Sequence, residues 1–189
     1  MALADLLAAR RAAILKRWHQ LILETYPPDT ARFLDREEDR FLNPVGHTIS
    51  QEIEVLLTEI LRGMDPDKVS RSLDGILRIR AVQEYSPSAA VAPILLLKKA
   101  VREELAAEIR QQAIGGELLE FESRVDKLLL LAFDSYMQCR QKIYEIRVNE
   151  ASKRSTILVD RLNRVLGNQE SDADLEDPDS DHVSRGSTR

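Results

Sequence analysis

Cysteine is almost missing from this chain: Cys139 stands alone in 189 residues. One thiol cannot form an internal disulfide or a cysteine-rich metal cluster, so packing must hold the fold, as it does in reducing compartments such as the cytoplasm. Histidine is nearly as scarce. His19, His47 and His182 are scattered, and a metal or haem site at His19 or His47 would need other ligands converging from elsewhere. The sequence has no Walker loop, Rossmann glycine fingerprint, GxSxG or HExxH, which removes the common catalytic templates. We therefore expect no enzyme, no bound metal and no cofactor. Long apolar runs are lacking too. The longest stretch without charge, Tyr85 to Leu97, has 13 residues and two prolines, too few for a membrane span. The N-terminal segment has charges throughout and lacks the apolar core of a secretory signal.

Charge of one sign is also lacking, outside one segment. The net charge is -5, and Glu170 to Arg189, with seven acids and two arginines, contributes all of it. The preceding residues balance at 25 acids and 25 bases, which gives no nucleic-acid footprint. Residues 167–189 show no periodicity and are expected to form a disordered acidic tail that aids solubility.

What the sequence does have is helical periodicity, with no strand-like alternation. Leu7, Ile14, Trp18, Leu21 and Thr25 keep one phase up to the prolines at 27 and 28, which predicts a first helix. A polar segment with Phe33 and Phe41 leads to the Asn43-Pro44 turn and a second helix through Ile49, Ile53, Leu56 and Ile60, closed by Gly63. Asp65-Pro66 and Ser86-Pro87 are cap-and-start signals for a third and a fourth helix, the latter running to Ile114 with Pro93 as a kink or a later start. Glu117 to Leu166 has neither proline nor glycine. As one helix it would be about 75 Å long. Its Leu128–Phe133 run is apolar on every side and reads as buried all round. Ala132, Tyr136, Cys139, Ile143 and Ile146 follow in a heptad-like series suited to a partner helix, so Tyr136, Cys139, Ile143 and Ile146 form a candidate dimer interface. Beyond Val148 that register meets Glu150 and Lys153, which does not support a long autonomous coiled coil. The expected fold is all-α: one bundle-like domain of about five helices over residues 1–166, of which 117–166 is the long C-terminal helix.

Basic residues in apolar phase are the unusual chemical signal. Val69, Leu73, Ile76 and Arg80 recur at spacings of 4, 3 and 4, which puts Arg80 at the centre of an apolar stripe. Lys98 and Arg102 fall inside the apolar arc of the fourth helix. A buried unpaired cation costs several kcal/mol, so each must snorkel, pair with a carboxylate or meet an anion. Glu84, Glu103, Asp126 and Asp134 are available for internal pairing. Alternatively Arg80, Lys98 and Arg102, with Gln83, Tyr85 and His47 of the Asn-Pro turn, line a pocket for a small carboxylate or phosphate. A partner-binding surface mistaken for a core is the third possibility. Cys139, in apolar phase, reads as a small core residue rather than a redox sensor.

The phrases "WHQLILETYPPDTARFL", "RFLNPVGHTI", "LRIRAVQEYSPSAAVAPILLLKKAVREEL" and "YMQCRQKIYEIRVNE" resemble, in order and spacing, the N-terminal domain of RsbRD-type RsbT co-antagonist proteins, over Leu6 to Arg154. The resemblance implies an all-helical sensory or regulatory module of bacterial stress signalling, globin-like but without haem, and a homodimer. It transfers no catalytic residue. In that family the module precedes a STAS output domain, and the 23 residues after Leu166 are too few for one. The expectation is therefore a regulator that binds a small anionic ligand, a second copy or a separate regulatory protein, with a scaffold docking through its C-terminal helix as the alternative.

Overall fold

The computed structural model describes residues 2–36, 41–111 and 114–173. Among them lie eight helices and no strand: α1 (Leu3–Ala9), α2 (Arg11–Leu23), α3 (Pro28–Arg36), α4 (Pro44–Arg62), α5 (Pro66–Val82), α6 (Pro87–Glu104), α7 (Ala106–Gln111) and α8 (Gly115–Ala173). The chain divides into two compact units, Met1–Ile143 and Tyr144–Arg189.

Prolines open four of these helices. Pro28, Pro44, Pro66 and Pro87 each occupy the first helical position, where a missing N–H costs nothing and φ is already set. Three of the four have a side-chain cap in front: Asn43 accepts from Gly46 N, Asp65 from Asp67 N and Lys68 N, and Ser86 from Ala89 N. The helix count exceeds the expected five for three reasons. The first predicted helix bends at Arg10, whose backbone still bonds Leu6 and Ile14, and so becomes α1 and α2. Pro28–Arg36, within the polar segment, is helical. The fourth predicted helix breaks at Leu105 and ends by Gln111, while Gly115 and Gly116, expected as stops, open α8 instead. Glu117, in the first turn of α8, accepts the Leu3 N–H at 2.6 Å and ties the two segments together.

The first unit buries one apolar face from each long helix. Ile14, Trp18 and Ile22 of α2, Ile49, Leu56 and Ile60 of α4, Leu73 and Leu77 of α5, Leu97 and Val101 of α6, and Val125, Leu128 and Tyr136 of α8 are all buried. Each large aliphatic side chain so removed from water contributes roughly 1.5–3 kcal/mol. The Leu128–Phe133 run is not buried all round. Leu128 and Ala132 face the core, whereas Leu130, Leu131 and Phe133 are 67%, 46% and 44% exposed, because α8 packs on the unit by one side only.

Asn43 fixes the start of α4 in two directions. Its oxygen accepts from Gly46 N at 2.8 Å and its Nδ2 donates to the Leu34 carbonyl at 2.8 Å. The fit requires glycine at 46, where a Cβ would come within 2.3 Å of Asn43 Nδ2. Replacing Asn43 by Ala orphans a buried N–H and a buried carbonyl and should cost about 2–4 kcal/mol. Urea denaturation will show it, with Asn43→Asp, which keeps only the cap acceptor, falling in between.

Candidate functional site

Arg80 closes the apolar stripe of α5 and is wholly excluded from solvent, at 0% exposure. The reason lies in α6. Pro93 sits inside that helix and has no N–H to donate, so the carbonyl four residues earlier, that of Ala89, loses its helical partner. Arg80 replaces the missing donor: Nη1 donates to the Ala89 oxygen at 3.0 Å, and Nη2 donates to Thr25 Oγ1 at 2.8 Å. The Pro93 carbonyl in turn accepts from Trp18 Nε1 at 2.8 Å.

Two tyrosines complete the cage. The Arg80 Cζ lies 5.0 Å from the ring centroids of both Tyr26 and Tyr85, whose rings meet edge-on at 6.1 Å. In a desolvated site each such cation–π contact is worth about 2 kcal/mol. Among the described residues no carboxylate comes within ion-pair distance of Arg80, so the cation is held by neutral oxygens and ring faces alone. Two buried polar atoms in the cage, Arg80 Nε and the Tyr26 hydroxyl, have no hydrogen-bond partner among the described residues. Burial pushes the Tyr26 phenol above its ordinary pKa, with the Arg80 charge opposing it.

The chain geometry that positions Tyr85 is specific. Glu84 N donates to the Ala81 carbonyl and Tyr85 N to the Arg80 carbonyl, which closes α5 in a Schellman-type turn. That turn needs a left-handed residue, and Glu84 supplies it at φ 61 where glycine is usual. α8 grips the same turn: the Tyr136 hydroxyl donates to the Tyr85 carbonyl, and Arg140 Nη1 donates to the Ala81 carbonyl at 3.3 Å. A displacement of Tyr85 therefore reaches α8 directly.

Of the six residues expected to share a pocket, only Arg80 and Tyr85 come together. Lys98 Nζ pairs with Asp126 at 2.6 Å, and Arg102 grips both Glu122 oxygens at 2.6 and 2.9 Å, so both cations tie α6 to α8 instead. Gln83 is the exposed C-cap of α5. His47 is half-buried in the first turn of α4, where its N–H bonds the Asn43 carbonyl. Tyr136 and Cys139, expected to face a partner helix, are buried in the chain's own core, and the Cys139 thiol donates to Asp74 Oδ1 at 3.4 Å. Burial and Asp74 push that thiol up, away from thiolate reactivity. Ile143 is half-buried and Ile146 exposed. Tyr26 and Ala89 belong to the cage although periodicity did not single them out, and Thr25, in phase with the first predicted helix, joins them. The available signal was Pro93, which announces an orphaned carbonyl at position 89.

Residues 12–151 match the RsbT co-antagonist protein rsbRD N-terminal domain, a span that contains the whole cage. The chain belongs to this family. An uncharacterized protein of Archaeoglobus fulgidus is 29% identical over 83 residues, which cover 43% of this chain and 51% of that protein, so the match spans about half the length of this curated relative. No solved structure matches. Within this rsbRD N-terminal domain, no described helix is long and apolar enough to cross a membrane, and no described group of three His, Cys, Asp or Glu residues is placed to hold a metal ion.

Two predictions follow from the geometry of the domain. Arg80→Met leaves the Ala89 carbonyl unsatisfied and should cost about 1–3 kcal/mol. Pro93→Ala returns the helical N–H, so in the Arg80→Met background it should recover most of the loss, giving a coupling of about 1 kcal/mol or more in a denaturation double-mutant cycle. Simple additivity would show that the guanidinium does not serve that carbonyl.

The second prediction concerns His19, whose Nε2 is buried without a hydrogen-bond partner among the described residues. Burial holds this imidazole below its ordinary pKa, against the weaker opposing effect of Asp35. The unfolded chain therefore binds a proton that the folded chain refuses. Stability from this group is present above the unfolded value, about 6.5, and is lost as pH falls below it. His19→Gln should flatten the pH dependence of the urea midpoint in that window.

Proposed function

We propose that this domain is a non-enzymatic, cytoplasmic regulatory module of the stress-signalling type, with a globin-like helical body. It senses a small anionic ligand or a protein partner at the Arg80 cage and passes the change on through helix packing and dimerisation. The observation that carries this reading is a fully buried guanidinium with no described counter-charge, joined through the Tyr85 turn to Tyr136 of α8.

The chemistry is that of two states. In the closed state the Arg80 charge is satisfied by Ala89, Thr25 and two aromatic faces. If the Tyr85 turn lifts, Arg80 Nε and the Tyr26 hydroxyl become donors to an incoming oxyanion, which brings the missing negative charge. A ligand shifts the balance only by binding the open state more tightly than the closed one, and a carboxylate or phosphate does so because the closed cage has no room for it beside the rings. The left-handed Glu84 holds strain of about 1–2 kcal/mol that leaving the closed turn can release. A second reading, a scaffold that docks on a larger complex, is favoured by the exposed apolar residues of the second unit, among them Ile146 and Leu162.

The test is native mass spectrometry of protein purified without added ligand. Wild type should carry a reproducible extra mass. The Arg80→Met/Pro93→Ala variant, in which the Ala89 carbonyl regains a helical donor and the cage loses its charge, should not. Bare polypeptide mass in both would remove the anion from the reading and leave the protein partner as the stimulus.

A further inference from the structure

α4 ends on a turn in which two consecutive residues have left-handed backbone. Gly63 has φ 131 and Met64 φ 61, and the N–H groups of both donate to the Glu59 carbonyl, at 3.0 and 2.8 Å. Glycine adopts positive φ freely, whereas at Met64 it costs about 1–2 kcal/mol. Between this turn and α8 lies a recess of about 610 Å³, lined by Gly63, Met64, Arg124, Lys127, Leu130 and Leu131. Small-molecule sites occupy about 300–1,000 Å³.

The lining has two chemistries. Arg124 and Lys127 are three residues apart on one side of α8, a spacing at which like charges repel. Among the described residues no carboxylate stands within ion-pair distance of either. Arg124 is anchored, because its Nη1 donates to the Ile60 carbonyl in the last turn of α4 at 3.2 Å. Its other guanidinium N–H groups have no acceptor among the described residues and form a fork suited to an oxyanion. The apolar part consists of Met64, Leu130 and Leu131, the two leucines 67% and 46% exposed. No aromatic ring lines the recess, so nothing there selects a flat ligand by stacking. Leucine and methionine side chains suit a flexible aliphatic chain.

We propose that this recess binds a small amphipathic acid, a carboxylate on an aliphatic chain, with the head group at Arg124 and Lys127 and the chain along Met64, Leu130 and Leu131. The negative head relieves the repulsion between the two cations, and the chain covers leucine surface that water otherwise meets. Bound there, the acid joins the α4–α5 turn to α8. The site is separate from the Arg80 cage: Pro66 opens α5 beside the turn, and Arg80 lies about 21 Å farther along that helix. The inference goes beyond the proposed function and stands or falls independently of it.

The test is isothermal titration calorimetry of the full chain with decanoate. Wild type should bind decanoate saturably, one molecule per chain. Acetate, which has the head without the chain, and decyltrimethylammonium, which has the chain with the opposite charge, should not bind. Lys127→Glu should weaken decanoate binding about tenfold or more. Lys153→Glu, the same charge change in the second unit, should leave it unchanged, and circular dichroism will establish that each variant is folded. Arg80→Met/Pro93→Ala should bind decanoate as wild type does. Absence of saturable decanoate binding, equal binding of decyltrimethylammonium, or an affinity that Lys127→Glu does not alter would each overturn the inference. Binding lost in Arg80→Met/Pro93→Ala and kept in Lys127→Glu would place the acid in the cage, which overturns this site and supports the proposed function.

Discussion

The hydrogen bond from Arg80 to the Ala89 carbonyl is the contact on which the centre of the first unit depends. Pro93 breaks the internal ladder of α6 at a place where the helix is buried, and an unsatisfied buried carbonyl costs about 1–3 kcal/mol. Water is excluded there, so a side chain must supply the donor. A serine or asparagine on a neighbouring helix would serve one oxygen. A guanidinium reaches Ala89 and Thr25 at once and leaves its plane between the faces of Tyr26 and Tyr85, which draws α2, α5 and α6 together at one point. Replacing such a group by a well-packed apolar one would often be neutral for stability. Here it would not be, because the carbonyl made lonely by Pro93 would remain.

α8 shows how one helix can serve two unlike faces. Leu118, Phe121, Val125, Leu128, Ala132 and Tyr136 recur at spacings of 3, 4, 3, 4 and 4 and are buried in the first unit. Lys98 with Asp126 and Arg102 with Glu122 clamp the flank of that face to α6. Being partly exposed, these pairs contribute little energy, about 0–1 kcal/mol each, but they set the rotation of α8 about its axis. That rotation determines where Tyr136 points. The same α8 face that builds the core thus aims the hydroxyl holding the Tyr85 turn.

The sequence made Arg80 legible because a 4, 3, 4 spacing is a geometric statement that survives folding. The caps at Asn43, Asp65 and Ser86 were legible for the same reason, since Asx-Pro and Ser-Pro pairs carry their own local chemistry. The cage around Arg80 was not, because its partners Thr25 and Ala89 offer neutral oxygens, and neutral oxygens are everywhere. Carboxylates near in sequence, such as Glu84 and Asp134, stand out as counter-charges far more readily than a hydroxyl or a carbonyl does. Lys98 and Arg102 share an apolar arc with Arg80 in phase but not in space: a wheel gives the direction of a side chain and says nothing of which helix stands opposite. The Leu128–Phe133 run misleads in a related way. Six consecutive apolar residues cover every direction around a helix, but burial depends on what stands on each side, and only one side of α8 is covered.

The absence of a described carboxylate at Arg80 bears on how readily the cage can open. Two unit charges in contact near a protein surface attract by about 4 kcal/mol at 4 Å, and separating a buried pair also strands the anion. A cage locked in that way would rarely open. Hydrogen bonds from a cation to neutral acceptors are worth about 1.5–3 kcal/mol each, and once the turn lifts the guanidinium regains water in their place. Strain at Glu84 subtracts further from the closed side. The proposed two-state reading requires the open state to lie within a few kcal/mol of the closed one, the range in which a minor state is populated at roughly 0.1–10% and a modest ligand can select it. A buried cation without a counter-ion is thus a poor device for stability alone. Placed beneath a strained turn that α8 holds through the Tyr136 hydroxyl and Arg140, it suits the proposed response to an anion.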